Sequence, residues 1–176
     1  IPNGYRNNLS KDHIAAIAVL KIDDGQDIPF WSLVNGMPVI VRFNNLEMTF
    51  HNCEGYPNAV SGGTWAMSDP KVLDDMKEYG FNLFNTANNH SGDYGEGGVL
   101  ATIDNLKARD MLFAGTGKNL GDANRACYLE TKNARVALIA CSAVTGKAPA
   151  MAGDATRDMM GRPGLNPLRY NEIFHV

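Results

Sequence analysis

A chain of 176 residues is long enough for one domain with a sizeable core. Its 44% hydrophobic and 20% charged content is that of an ordinary globular protein, which excludes a disordered chain. Sixteen Lys and Arg against nineteen Asp and Glu leave a net charge of −3, with no basic stripe, so nothing electrostatic favours nucleic acid.

In chain order, residues 10–22 (SKDHIAAIAVLKI) read as a helix, with Ser10 as cap and Ile14, Ile17 and Leu20 at helical spacing. A loop follows at 23–29. The most apolar region, 28–41, is interrupted by Ser32, Asn35, Gly36 and two prolines and is too short to span a membrane. Residues 38–43 (PVIVRF) read as a strand that stops at Asn44-Asn45-Leu46-Glu47. From His51 to Met67 the chain is rich in Gly, Asn and Ser and reads as a long excursion. Trp65 within it lines a groove or is buried against a strand.

Ser68-Asp69-Pro70 opens a helix with Val72, Leu73, Met76 and Tyr79 on its apolar face, and Gly80 ends it. FNLFNTA (81–87) is the next strand. A helix follows over 96–108, with Val99, Leu100, Ile103 and Leu106 facing inward, then a strand at 111–115 and a short helix at 119–125. Residues 128–143 read as two strands joined by a turn at Lys132-Asn133, whereas 144–176 has no clear periodicity. Strands alternating with helices predict an α/β fold with a parallel stretch of sheet.

Three cysteines at wide spacing, Cys53, Cys127 and Cys141, exclude a zinc knuckle and a CxxC redox centre. Cys141 lies in an apolar run and is expected to be a buried thiol.

In α/β sheets ligands bind beyond the carboxyl ends of the strands. Two predicted strands end in polar clusters there: Asn45 and Glu47 after the first, and Asn88, Asn89, His90 and Asp93 after FNLFNTA. Carboxylate, amide oxygen and imidazole together suit a divalent cation or general acid–base work. Turn chemistry alone also places Asn, Asp and Gly in strand-to-helix loops. AGTGKN (114–119) fails as a phosphate loop, because Leu112 stands where glycine is needed and Asn119 where Ser or Thr is needed. Arg162 and Arg169, in GRPGLNPLR, suit carboxylate or phosphate binding, or an ordinary loop ion pair.

FNNLE (43–47), GFNLFNTANNHSGDYGEGGVLATIDNL (80–106), AGTGKNLGDANRACYLETKNARVALIA (114–140) and GRPGLNPLR (161–169) together resemble the CapA family of bacterial capsule or poly-γ-glutamate biosynthesis proteins. The specific part is ANNHxxDYGxxG at 87–98. The resemblance implies a calcineurin-like metallophosphoesterase fold, a four-layer α/β/β/α sandwich with a two-metal site. It implies Glu47 and Asn89 as metal ligands, Asn45 as their support, and His90 as the group assisting the leaving group or transition state. Asp93 would hold His90 or cap the following helix. Mn²⁺ or Zn²⁺ is the implied ion.

Three features of the pattern are missing: the early strand ending in Gly-Asp, the His-Trp-Gly segment and the Gly-His-His-Pro-His segment. The chain begins at Ile1, with no signal or lipid motif at that end. It is therefore expected to be the N-terminal portion (1–176) of a single, longer domain, holding metal weakly or not at all. Two functions follow from the resemblance. One is an extracytoplasmic, metal-dependent hydrolase or transferase acting on an anionic polymer such as poly-γ-glutamate or its precursor, with the longer protein membrane-anchored. The other is a non-catalytic binding or export component that holds carboxylates with Arg162 and Arg169.

Overall fold

The computed structural model describes residues 41–60, 63–131, 134–143 and 151–169. The helix expected at 10–22, the first residues of the 38–43 strand and the turn at 132–133 lie outside them.

Three parallel strands form the central sheet. They are β1 (Phe43–Asn45), β4 (Leu83–Asn85) and β5 (Phe113–Ala114), in the order β1-β4-β5. Asn45 pairs with Asn85, and Asn85 with Ala114, so the three strands end level with one another. Parallel neighbours need crossovers. Helix α1 (Val72–Glu78) lies between β1 and β4, and α2 (Gly95–Lys107) between β4 and β5. This is the mixed α/β arrangement with a parallel sheet that the alternation of elements predicts.

Local chemistry sets the element boundaries. Asp69 accepts the Lys71 N–H at 2.8 Å just before α1 begins. After α1 the chain reverses at Gly80, whose φ of +78° is costly for any residue with a Cβ. Leu73 of α1 is fully buried with Leu46, Phe50, Phe84, Leu106 and Met111, and this cluster binds both helices to the sheet. Each fully buried large side chain of this kind stabilises the fold by about 1.5–3 kcal/mol. On α2, Val99, Ile103 and Leu106 are buried as expected, while Leu100 is only half-buried. Arg109, just past α2, grips both carboxylate oxygens of Asp74 on α1, at 2.8 and 3.1 Å. That bond holds the Asp74 carboxyl below its ordinary range.

The excursion after β1 is closed at its two ends. β2 (Thr49–Phe50) and β3 (Met67–Ser68) pair in parallel, and β2 lies on α2, where the Phe50 N–H donates to Thr102 Oγ1 at 2.8 Å. Downstream, β6 (Thr116–Gly117) pairs antiparallel with β9 (Gly164–Leu165). Between them lie α3 (Leu120–Ala123), capped by the Asn119 side chain on Asp122 N, and the hairpin β7 (Cys127–Glu130)–β8 (Arg135–Leu138). β9 falls in the segment without periodicity, because two residues are too few to carry a period.

Cys141 is exposed, contrary to the expectation of a buried thiol. Beyond β8 the extended chain alternates, burying Ala140 and Ser142 and turning Cys141 outward. Cys127 is the partly buried cysteine, and burial pushes its thiol pKa up.

Candidate functional site

The level strand ends bring the two polar clusters together. Asn45 Oδ1 accepts from Asn85 Nδ2 at 2.8 Å and from Asn88 Nδ2 at 3.3 Å, which ties the end of β1 to the loop after β4. Asn88 is buried and shapes that loop. Its Nδ2 also donates to Leu46 O at 2.8 Å, and its Oδ1 accepts from His90 N and from Ser91 Oγ, both at 3.0 Å. Part of the asparagine-rich signal is thus turn chemistry. An Asx side chain holds the backbone two residues on, which is why this residue type ends the strand.

His90 and Asp93 form a hydrogen-bonded pair. His90 Nδ1 lies 2.8 Å from Asp93 Oδ2, with the imidazole 20% exposed and the carboxylate 1% exposed. A carboxylate acceptor places the proton on Nδ1 and leaves Nε2 as the ring nitrogen outside this bond. Asp93 Oδ2 also accepts the Ala66 N–H at 2.6 Å. The N-cap of α2 is Tyr94, with no side-chain capping bond, and the Asp93 Oδ2 bonds go to His90 and Ala66. Among the described residues Asp93 Oδ1 is buried without a hydrogen-bond partner, which costs free energy in a group so well enclosed.

The excursion is stapled to this pair. Asn58 N donates to Asp93 O at 2.7 Å, and Asn58 Nδ2 to Gly92 O at 3.4 Å. Trp65 is 44% exposed, with its indole N–H on Asn58 O at 2.8 Å, so it is not buried against a strand. The excursion approaches α2 through glycine. A Cβ on Gly55 would stand 2.5 Å from Gly98 N and 2.6 Å from Tyr94 O. Sequence reading missed Asn58 and Ala66, because backbone N–H groups carry their roles. It also missed the buried Thr86–Thr116 hydroxyl contact at 2.8 Å beside the loop.

Glu47 and Asn89, the expected metal ligands, are both exposed beyond the strand ends. Asn45, their expected support, has its Oδ1 engaged by two amides. Among the described residues no three His, Cys, Asp or Glu side chains converge as a metal site would require. One carboxylate and one amide oxygen suit a divalent cation in kind but not in number. The residues described do not by themselves fit a two-metal centre.

Arg162 and Arg169 are exposed. Arg162 Nε donates to Met151 O at 2.9 Å, a loop carbonyl rather than the ion-pair partner considered from sequence. No hydrogen bond among the described residues joins either arginine to His90 or Asp93. A pocket of about 240 Å³ opens elsewhere, between α2, β5 and α3, with Lys107, Lys118 and Arg125 on its wall. It includes neither His90 nor Asp93, so the chemistry-bearing side chains, not that concavity, define the candidate site.

The profile of a protein family described as bacterial capsule synthesis protein PGA_cap matches residues 40–171. Two proteins of Sinorhizobium fredii (strain NBRC 101917 / NGR234), both called uncharacterized and designated y4sH and y4uA, are 37% identical over 133 residues. Those residues are 73% of this chain and 28% of each relative. The "Capsule biosynthesis protein CapA" of Bacillus anthracis is 34% identical over 92 residues, 52% of this chain and 21% of that protein. The chain thus matches about a quarter of the length of these relatives.

Proposed function

From the premise that this chain belongs to the family of bacterial capsule synthesis proteins described as PGA_cap, we propose that it is part of a metal-dependent hydrolase or transferase acting on an anionic cell-surface polymer or its precursor. Poly-γ-glutamate is the substrate class. A relative in Bacillus subtilis (strain 168), 33% identical over 78 residues, bears the name "PGA biosynthesis protein CapA". The proposed architecture of the longer protein is the four-layer α/β/β/α metallophosphoesterase sandwich. Its proposed location is extracytoplasmic, with membrane association.

The observation that carries the chemical reading is the His90–Asp93 bond at the carboxyl end of the central strand. Asp93 holds the proton on Nδ1 and fixes the ring. Nε2 can then take a proton from an attacking hydroxyl, or, once protonated, return it to the leaving oxygen or nitrogen of a phosphoester or amide. Partial exposure of His90 admits substrate, while burial of Asp93 keeps water from competing for Nδ1. Glu47 and Asn89, supported by Asn45, are proposed as this chain's contribution to a Mn²⁺ or Zn²⁺ centre completed by residues beyond it. Arg162 and Arg169 are proposed to hold substrate carboxylates.

The test is His90→Asn in the longer protein. Turnover is expected to fall about 10²- to 10⁴-fold, the usual contribution of a positioned acid or base, with the fold and most metal affinity kept. Unchanged turnover would sink the reading, and loss of metal with an intact apo fold would make His90 a ligand.

A second reading is a non-catalytic binding or export component. The exposure of both arginines favours it. Loss of polymer affinity on replacing Arg162 and Arg169, with His90→Asn silent, would establish it.

A further inference from the structure

Behind the His90–Asp93 pair lies a second, buried histidine. His51 is 1% exposed. Its Nδ1 accepts the Cys53 N–H at 3.1 Å, and its Nε2 lies 3.1 Å from Thr49 Oγ1. A backbone N–H can only donate, so Nδ1 is the acceptor and Nε2 carries the proton. Thr49 Oγ1 in turn donates to Ala66 O at 3.0 Å, and Thr49 N donates to the same oxygen at 3.0 Å. The peptide on the other side of Ala66 donates its N–H to Asp93 Oδ2, which holds His90. Ala66 is therefore gripped on one side by Thr49 and on the other grips the carboxylate.

We propose that Thr49 and His51 are positioning residues for His90, acting through Ala66 and Asp93. The proposal rests on the reading of His90 as the reacting base. Cys53 supplies a second observation. Its N–H donates to His51 Nδ1, and its φ of +67° is an unfavourable backbone for a residue with a Cβ. The groups facing His51 are few: Glu54, 3.8 Å from Nδ1, and the Tyr94 ring at the head of α2, edge-on with centroids 4.6 Å apart. With the Cys53 N–H on Nδ1 and the hydroxyl of Thr49 on Nε2, His51 is satisfied as a neutral ring.

The test follows ring nitrogens by NMR in the ¹⁵N-labelled 176-residue chain, whose four histidines can be assigned by substitution. In the wild type His90 is expected as the Nδ1–H tautomer alone. Thr49→Val removes the hydroxyl while keeping the branched shape, and it should release His90 into a mixture with the Nε2–H form. Thr49→Ser should restore the single tautomer. A Thr49→Val protein with native near-UV dichroism and unchanged His90 ring shifts would overturn the proposal. If Thr49→Val does not fold, His51→Gln decides at neutral pH: it should release His90 into the same mixture of tautomers, and unchanged His90 ring shifts in a folded His51→Gln protein would overturn the proposal. None of these readouts needs substrate or metal. Unchanged turnover in His90→Asn would therefore remove the chemical reading while the NMR outcome is decided separately.

Discussion

Asp93 carries more of the site than any other residue. One buried oxygen takes both the His90 ring and the Ala66 peptide, while the other oxygen has no partner among the described residues. Asp93→Asn keeps the shape but presents a weaker acceptor to His90. In the longer protein it should cost about 10- to 100-fold in activity, as loss of an orienting carboxylate does, with far-UV dichroism unchanged. A turnover assay beside the dichroism spectrum checks both halves. His51 gives a separate, pH-based expectation. Burial lowers its pKa from the ordinary 6.5, outweighing the pull of Glu54 in the other direction. A depressed folded-state pKa means that the unfolded chain binds the proton more readily. The contribution is thus present above 6.5 and is lost as pH falls below it toward the folded-state value. Urea midpoints taken across that range should decline more steeply for the wild type than for His51→Gln.

Among the elements, the excursion and α2 meet at glycines, where the spacing leaves no room for substitution. Gly55→Ala would set a Cβ against the backbone of Tyr94 and Gly98, which cannot rotate away. Overpacking of this kind costs about 1–3 kcal/mol, measurable as a lower urea midpoint. Because the excursion also carries Asn58 and Ala66, the same variant should disturb His90. The elements differ in how far the sequence disclosed them. The helix containing Leu73 and the one containing Ile103 were legible from spacing, since a 3.6-residue period over two or more turns has no other cause. The two strands were legible from composition, but their ends were read as Phe43 and Ala87 where the structure has Asn45 and Asn85. The pairing of Thr49 with Met67 was not legible, because two-residue strands lack a period and their partners lie far apart in sequence. The contact of Asp93 with His90 was expected from the family resemblance and is present, whereas the loop-shaping role of Asn88 was not legible, because asparagine suits both turns and chemistry.

For the molecule as a whole, the described donors set a limit on metal binding. With one carboxylate and one amide oxygen at the strand ends, this chain should lose Mn²⁺ and Zn²⁺ on dialysis. Elemental analysis finding stoichiometric metal afterwards would show that further ligands come from residues outside those described. The parallel central sheet and family membership stand independently of that result. The chain has only two tryptophans, Trp31 and Trp65, so Trp31→Phe leaves a single emitter in the excursion. The Trp65 indole N–H is held by Asn58 O, and Asn58 by the backbone of Asp93, so the ring is fixed through the same turn that holds His90. Its emission colour and quenching by iodide then become an optical gauge of whether the excursion is seated. That gauge can be read in a cuvette, without substrate, for any variant that disturbs the loop.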